Sequence, residues 1–260
     1  MRNTWIIFRR ELQSYFVSPV AYALLFVFLA LTGWYFYNLL TAFVLLTARA
    51  TDQAMMAQQM PPVLNVNMSV MRTWFNITSQ LMLFFVPIVT MRLLSEERGT
   101  GRLDMLLSAP LTDSQLVLGK YLAGAALCLL LLTPTFVYPA ILFHYGNPEI
   151  GQIVSGYVGL ILLSWALIGL GLAVSSVTGN QLIAATCTFG LVVLLWVLGL
   201  VSGGEGTKWG AILFYVAIVE HYGDFANGVI ETRHVVYFFS FTLFMLFLAL
   251  RSVESQRWRG

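Results

Sequence analysis

Residues 95–120 read SEERGTGRLDMLLSAPLTDSQLVLGK, a charged, turn-rich island between two apolar segments that are each long enough to cross a bilayer. A polar stretch that returns to the membrane within about 25 residues is too short to be a domain of its own. Its surface is therefore expected to serve a partner.

The composition around that island fixes the class, with 58% hydrophobic and only 10% charged residues and a mean hydropathy of +0.79. Such a chain has almost nothing left over for a separate soluble core. The formal charge of +2 is small, and no nucleic-acid partner is expected from it. Cys128 and Cys187 both fall inside apolar runs and read as small core residues rather than a disulfide.

A helix needs about 20 apolar residues to cross roughly 30 Å of hydrocarbon. Six stretches meet or approach that length: 20–46, 74–94, 116–143, 153–177, 182–201 and 235–250. The expected fold is an all-α integral membrane protein with six transmembrane helices. Pro134 and Pro139 predict a kink in the third span, and Pro87 lies within the second. Tyr237 and Arg251 bracket the short last span as interfacial anchors.

Orientation follows from the basic residues. With a cytoplasmic N-terminus, that side holds Arg2, Arg9, Arg10, Arg92, Arg98, Arg102, Lys120, Arg251, Arg257 and Arg259, leaving Arg49, Arg72, Lys208 and Arg233 opposite, while the 12 acids divide evenly. Lys and Arg alone carry the bias, as the positive-inside rule expects. Both termini and the island are thus expected in the cytoplasm. The first apolar run outlasts the h-region of a secretory signal, so the start is expected to be retained.

Residues 2–16 form an element of their own. On a helical wheel Trp5, Phe8, Leu12, Tyr15 and Phe16 fall within about 100°, away from Arg2, Arg10, Gln13 and Ser14, which predicts a helix lying in the membrane surface. Ser18 and Pro19 mark the turn into the first span. Within the island, Ser95, Glu96, Glu97 and Arg98 lead to the glycines Gly99 and Gly101. A short helix over Leu103, Asp104, Met105, Leu106 and Leu107 then stops at Pro110, and Thr112 opens the next helix. Leu103, Leu106 and Leu107 share one face, which needs a groove on another molecule or the headgroup region. The mixed charges around them argue against simple lipid binding.

The stretches SPVAYALLFVFLALTG (18–33), FFVPIVTMRLLSEERGTGRLDMLLSAPLTDSQLVLGKYLAG (84–124), GYVGLILLSWALIGLGLAVSSVTGNQLIAA (156–185) and HYGDFANGVIETRHVVYF (221–238) resemble the permease subunit of type-2 ABC exporters, and among these the gliding-motility-associated permeases. The resemblance implies a half-transporter whose island docks as a coupling helix on a separate ATPase subunit, through Glu96, Glu97, Arg98, Leu106, Leu107, Pro110 and Leu111. It also implies an interface helix beside the ATPase, carrying Trp5, Phe8, Arg9 and Leu12, and re-entrant helices over 206–230. Further implied are a second permease copy or a related permease, an auxiliary extracytoplasmic partner, and a bacterial inner-membrane location. Where that family usually has Thr and Glu, Arg102 and Asp104 stand here.

No cofactor is expected in this chain. Gly119 and Lys120 are followed by Tyr121, without the Ser or Thr and the upstream glycine of a phosphate-cradling loop, so ATP and Mg²⁺ are assigned to the partner ATPase. At the opposite end, His144, Glu149, Glu205, Glu220, His221, Asp224, Glu231 and His234 lack metalloprotease spacing and read as polar helix ends; no metal or catalytic residue is expected. The spans offer Ser164, Trp165, Thr186 and Thr188 rather than ionisable groups, which points away from proton or ion transport and toward a hydrophobic or amphipathic cargo, or none. Export driven by a partner ATPase is the expected function. A membrane scaffold for an extracytoplasmic machine is the alternative.

Overall fold

The computed structural model describes residues 2–60, 65–101, 111–145, 148–201 and 208–257. All regular structure among them is helical. In chain order the helices are α1 (Arg2–Val17), α2 (Pro19–Met56), α3 (Arg72–Thr90), α4 (Ser95–Gly99), α5 (Asp113–Leu132), α6 (Val137–Tyr145), α7 (Ile150–Val177), α8 (Gln181–Val201), α9 (Lys208–Val216), α10 (Glu220–Ala226) and α11 (Thr232–Arg257). Six helical stretches are long and apolar enough to span a membrane, as the hydropathy pattern predicts.

α2 continues ten residues beyond the apolar window that ends at 46. Hydropathy reports the crossing, whereas TARATDQAMM keeps good helix formers, so the helix carries on past the hydrocarbon. The third span breaks where its prolines predict: a 3₁₀ turn over Thr133–Phe136 contains Pro134 and separates α5 from α6.

α7 is the hub. It is 72% buried across its central window, against 17% for α2 and 22% for α11, and it packs most extensively on α11 and α3. Gly156 and Gly171 let Phe75 and Thr90 of α3 approach its backbone, at positions where a Cβ would meet side-chain atoms at 2.5 and 2.1 Å. Trp74 of α3 is fully buried and donates its indole N–H to the Thr32 carbonyl of α2 at 3.1 Å, which fixes the otherwise peripheral α2.

One expectation fails on the periphery, that of a core position for Cys187, and a neighbouring glycine is open too. Cys187 is exposed while Cys128 is buried. Gly190 faces open space rather than a neighbouring helix. Both lie on α8, whose central window is only 28% buried; an apolar run there turns outward, so an apolar sequence did not imply a core position.

The region between α8 and α11 contains two short helices of nine and seven residues, α9 and α10. At 1.5 Å per residue these reach roughly 14 and 10 Å, well short of a bilayer. Gly228, at φ +92°, terminates α10 in the left-handed conformation and turns the chain toward α11.

Candidate functional site

α1 is an independent helix. Ser18 breaks it with an extended backbone (φ −82°, ψ 123°), and Pro19 starts α2. Its packed face is a stripe at i, i+4 spacing. Asn3 Nδ2 donates to Gln115 Oε1 of α5 at 3.3 Å, Ile7 is 5% exposed, and Glu11 reaches Lys120. Gly119 makes this contact possible, since a Cβ there would lie 2.8 Å from Ile7 Cγ2.

Lys120 is the decisive residue. It lies in the second turn of α5, its side chain is 1% exposed, and its Nζ pairs with Glu11 Oε1 at 3.1 Å and with Glu97 Oε2 at 2.9 Å. Arg10 closes the set from outside, its Nη2 lying 3.1 Å from both Glu11 Oε1 and Glu97 Oε1. Two cations and two carboxylates thus join α1, α4 and α5 with no net charge. Burial makes a lone Lys120 or a lone acid beside it costly, so the cluster holds only while Lys120 stays paired with Glu11 and Glu97. The expectation that the spans lack ionisable groups fails here. Lys120 escapes the penalty because it sits near the end of the span, where two acids from other helices reach it.

The other residues of the SEERG turn are used inside the chain as well. Ser175 Oγ of α7 accepts the Leu94 and Ser95 amide hydrogens at 3.0 and 2.9 Å, capping the start of α4. Glu96 accepts from Arg92 Nε at 3.0 Å, and Arg92 Nη1 donates at 3.4 Å to Ser18 Oγ at the elbow between α1 and α2. Arg98 donates to the Ser176 carbonyl at the C-terminal end of α7, where cations and N–H donors satisfy orphan carbonyls. The Gln256 amide of α11, turned oxygen-first as the donor count requires, accepts from Arg98 Nε and Nη2 at 2.7 Å. Gly99 lies against the α7–α8 turn so closely that a Cβ would be 2.2 Å from the Gly179 carbonyl oxygen. Gly101 follows at φ +71°.

The turn is therefore a junction of five elements, α1, α5, α7, the α7–α8 turn and the end of α11. Glu96, Glu97, Arg98 and Gly99 meet there, Gly101 is exposed beside it, and Leu111 packs partly on the core. Leu103, Leu106, Leu107 and Pro110 lie outside the described residues. On α1, Trp5 stacks on Phe8 with ring centroids 5.0 Å apart. Trp5 and Arg9 are exposed, while Phe8 and Leu12 are half-buried. The face that the apolar wheel picked out is thus not the face packed on α5. Glu11 and Lys120 were missed as site residues; the sequence signal was Glu11 standing four residues beyond Ile7, and a lone lysine beginning a span.

Residues 5–253 match the ABC-2 family transporter protein family. The chain belongs to the ABC-2 transporter family. It is also similar to the probable multidrug ABC transporter permease YbhR of Escherichia coli, in strain K12 and in O157:H7, at 29% identity over 174 residues. That alignment covers 62% of this chain and 47% of each relative, so the chain spans about half the length of the curated relatives it matches. As a multi-pass ABC-2 protein it has its SEERG turn placed where helices from both halves of the chain converge.

Proposed function

We propose that this protein is the permease subunit of an ATP-driven ABC transporter, in which residues 103–110 dock on a separate ATPase and the charged junction carries the resulting motion into the spans. One observation carries this reading: the buried Lys120 pairs with both Glu11 and Glu97, so the turn that leads into the island cannot shift without moving α1 and α5. A ligand or partner moves a protein only through contacts that differ between two states. A junction held by the buried Lys120 pairs converts a push on the island into tilting of α3 and α5.

Two ATPase subunits and a second permease copy complete the assembly, with nucleotide and Mg²⁺ held by the ATPases and both termini of this chain in the cytoplasm of a bacterial inner membrane. The resemblance of residues 221–238 favours a place among gliding-motility-associated permeases, and the scarcity of ionisable groups within the spans, Lys120 near a span end apart, favours a hydrophobic or amphipathic cargo.

The test is a reconstituted complex with its cognate ATPase carrying Lys120→Met. The ATPase is expected to remain bound while cargo-stimulated hydrolysis falls at least tenfold. Unchanged stimulation with the variant folded would overturn the reading.

A further inference from the structure

At the end of α11 far from Gln256, the structure assembles a hydrogen-bond chain that joins three helices. His221 Nε2 of α10 lies 2.8 Å from the Tyr215 carbonyl oxygen of α9, His221 Nδ1 lies 2.7 Å from His234 Nδ1 of α11, and His234 Nε2 lies 2.8 Å from Asp224 Oδ2. His221 and His234 are each 3% exposed. The ring of Tyr237 stacks on His221 with centroids 3.7 Å apart and donates its hydroxyl to the Val216 carbonyl at 2.9 Å, holding the chain from the side.

Counting protons along this chain gives a definite answer. A carbonyl only accepts, so His221 Nε2 carries a hydrogen; the Nδ1–Nδ1 contact needs one more; and a carboxylate only accepts, so the contact to Asp224 needs a third. Two neutral imidazoles and an ionised Asp224 bring two. The chain therefore holds one proton beyond the neutral complement.

We propose that His221 and His234 form a binding site for a single proton, and that this proton latches α9 and α10 to the head of α11. Removing it leaves either the two Nδ1 atoms, or His234 Nε2 and Asp224, as facing acceptors, according to the tautomer of His234. Adding a second puts hydrogens on both Nδ1 atoms, so that two cationic rings face each other at hydrogen-bond distance. Either change breaks the latch.

The surrounding charges are consistent with one extra proton and no more. Arg233 Nε lies 2.6 Å from Glu231 Oε2, its Nη2 lies 3.7 Å from Asp224 Oδ2, and Glu231 Oε2 is 3.7 Å from His234 Nε2. With Arg233 opposite Asp224 and Glu231, the added proton brings the group to neutrality. Arg233 Nε is also 3.3 Å from His234 Nε2, but its single hydrogen goes to the nearer Glu231. Glu220, the remaining acid of α10, points away toward Gly199 of α8. Burial, against the raising effect of the hydrogen bond to the Tyr215 carbonyl and with smaller help from His234 and Arg233, holds the His221 pKa below the ordinary histidine range, so the second proton is resisted.

The chain has three histidines, so ¹⁵N-histidine NMR of the protein in lipid nanodiscs is assignable, with His144 as an internal reference. At pH 7 the expected spectrum has one doubly protonated ring, one neutral ring protonated at Nε2, and a ¹⁵N–¹⁵N coupling between the two Nδ1 atoms. Asp224→Asn supplies an N–H where the carboxylate accepts, so three hydrogens are then present without the extra proton. The doubly protonated ring should vanish from that variant while the Nδ1–Nδ1 coupling persists. Two neutral rings in the wild-type protein, or a doubly protonated ring that survives Asp224→Asn, would overturn the proposal, as would a wild-type signal that changes on addition of a metal chelator.

Discussion

The two ends of this molecule are held by opposite kinds of chemistry. At the island end, Arg10, Glu11, Glu97 and Lys120 form a cluster of two cations and two carboxylates paired at 2.9–3.1 Å. At the far end, His221, His234 and Asp224 form a chain that depends on one exchangeable proton. The first suits a joint that must transmit force under all conditions, and the second a joint that yields to its surroundings. α11 connects them, with Gln256 at one end and His234 at the other.

Breaking the charged joint should cost most. Lys120→Ala leaves Glu11 and Glu97 facing each other with only the half-exposed Arg10 between them, and is expected to destabilise by about 3–5 kcal/mol, read by denaturant unfolding in detergent. Gly119→Ala pushes a methyl group against Ile7, at a cost of about 1–3 kcal/mol. Ile7→Ala in the same chain should recover part of that loss; a double variant no better than Gly119→Ala would mean α1 does not pack there.

The far joint should instead show its weakness through pH. The His221 pKa is lowered in the folded protein, so the unfolded chain binds more protons as the solution is acidified. The part of the stability that His221 contributes is present above the ordinary histidine value of about 6.5 and falls as pH drops below it, whereas loss of the single shared proton weakens the joint at higher pH. Thermal unfolding below about pH 6.5 should show the acid-side fall. His221→Gln, which can still donate to Tyr215 and accept from His234, should lose most of the slope. The smallest effect belongs to Arg10→Ala, because the Arg10 side chain is 53% exposed: about 0–1 kcal/mol, diminishing with salt.

How legible these joints were follows from what each signal measures. The six spans stand out because crossing a bilayer demands a run of apolar residues, and the break at Pro134 because proline removes an interior hydrogen bond. The face of α1 was not legible in the same way. A helical wheel marks Trp5, Phe8 and Leu12 as the side to bury, yet the protein contact is made by Asn3, Ile7 and Glu11. In a membrane protein apolar faces can turn to lipid, and polar side chains are drawn inward to find partners. The histidine chain was hidden for another reason: its members are spread from Tyr215 to His234, and only the fold-back through α10 and Gly228 brings them together.

The most direct test of the account is a double-mutant cycle between Glu97 and Lys120, using Glu97→Gln and Lys120→Met, with unfolding free energy measured in lipid nanodiscs. The account predicts a favourable interaction of about 1.5–3 kcal/mol between the two side chains, near the upper end of what directly coupled residues show. An interaction energy indistinguishable from zero, with all variants folded, would contradict it.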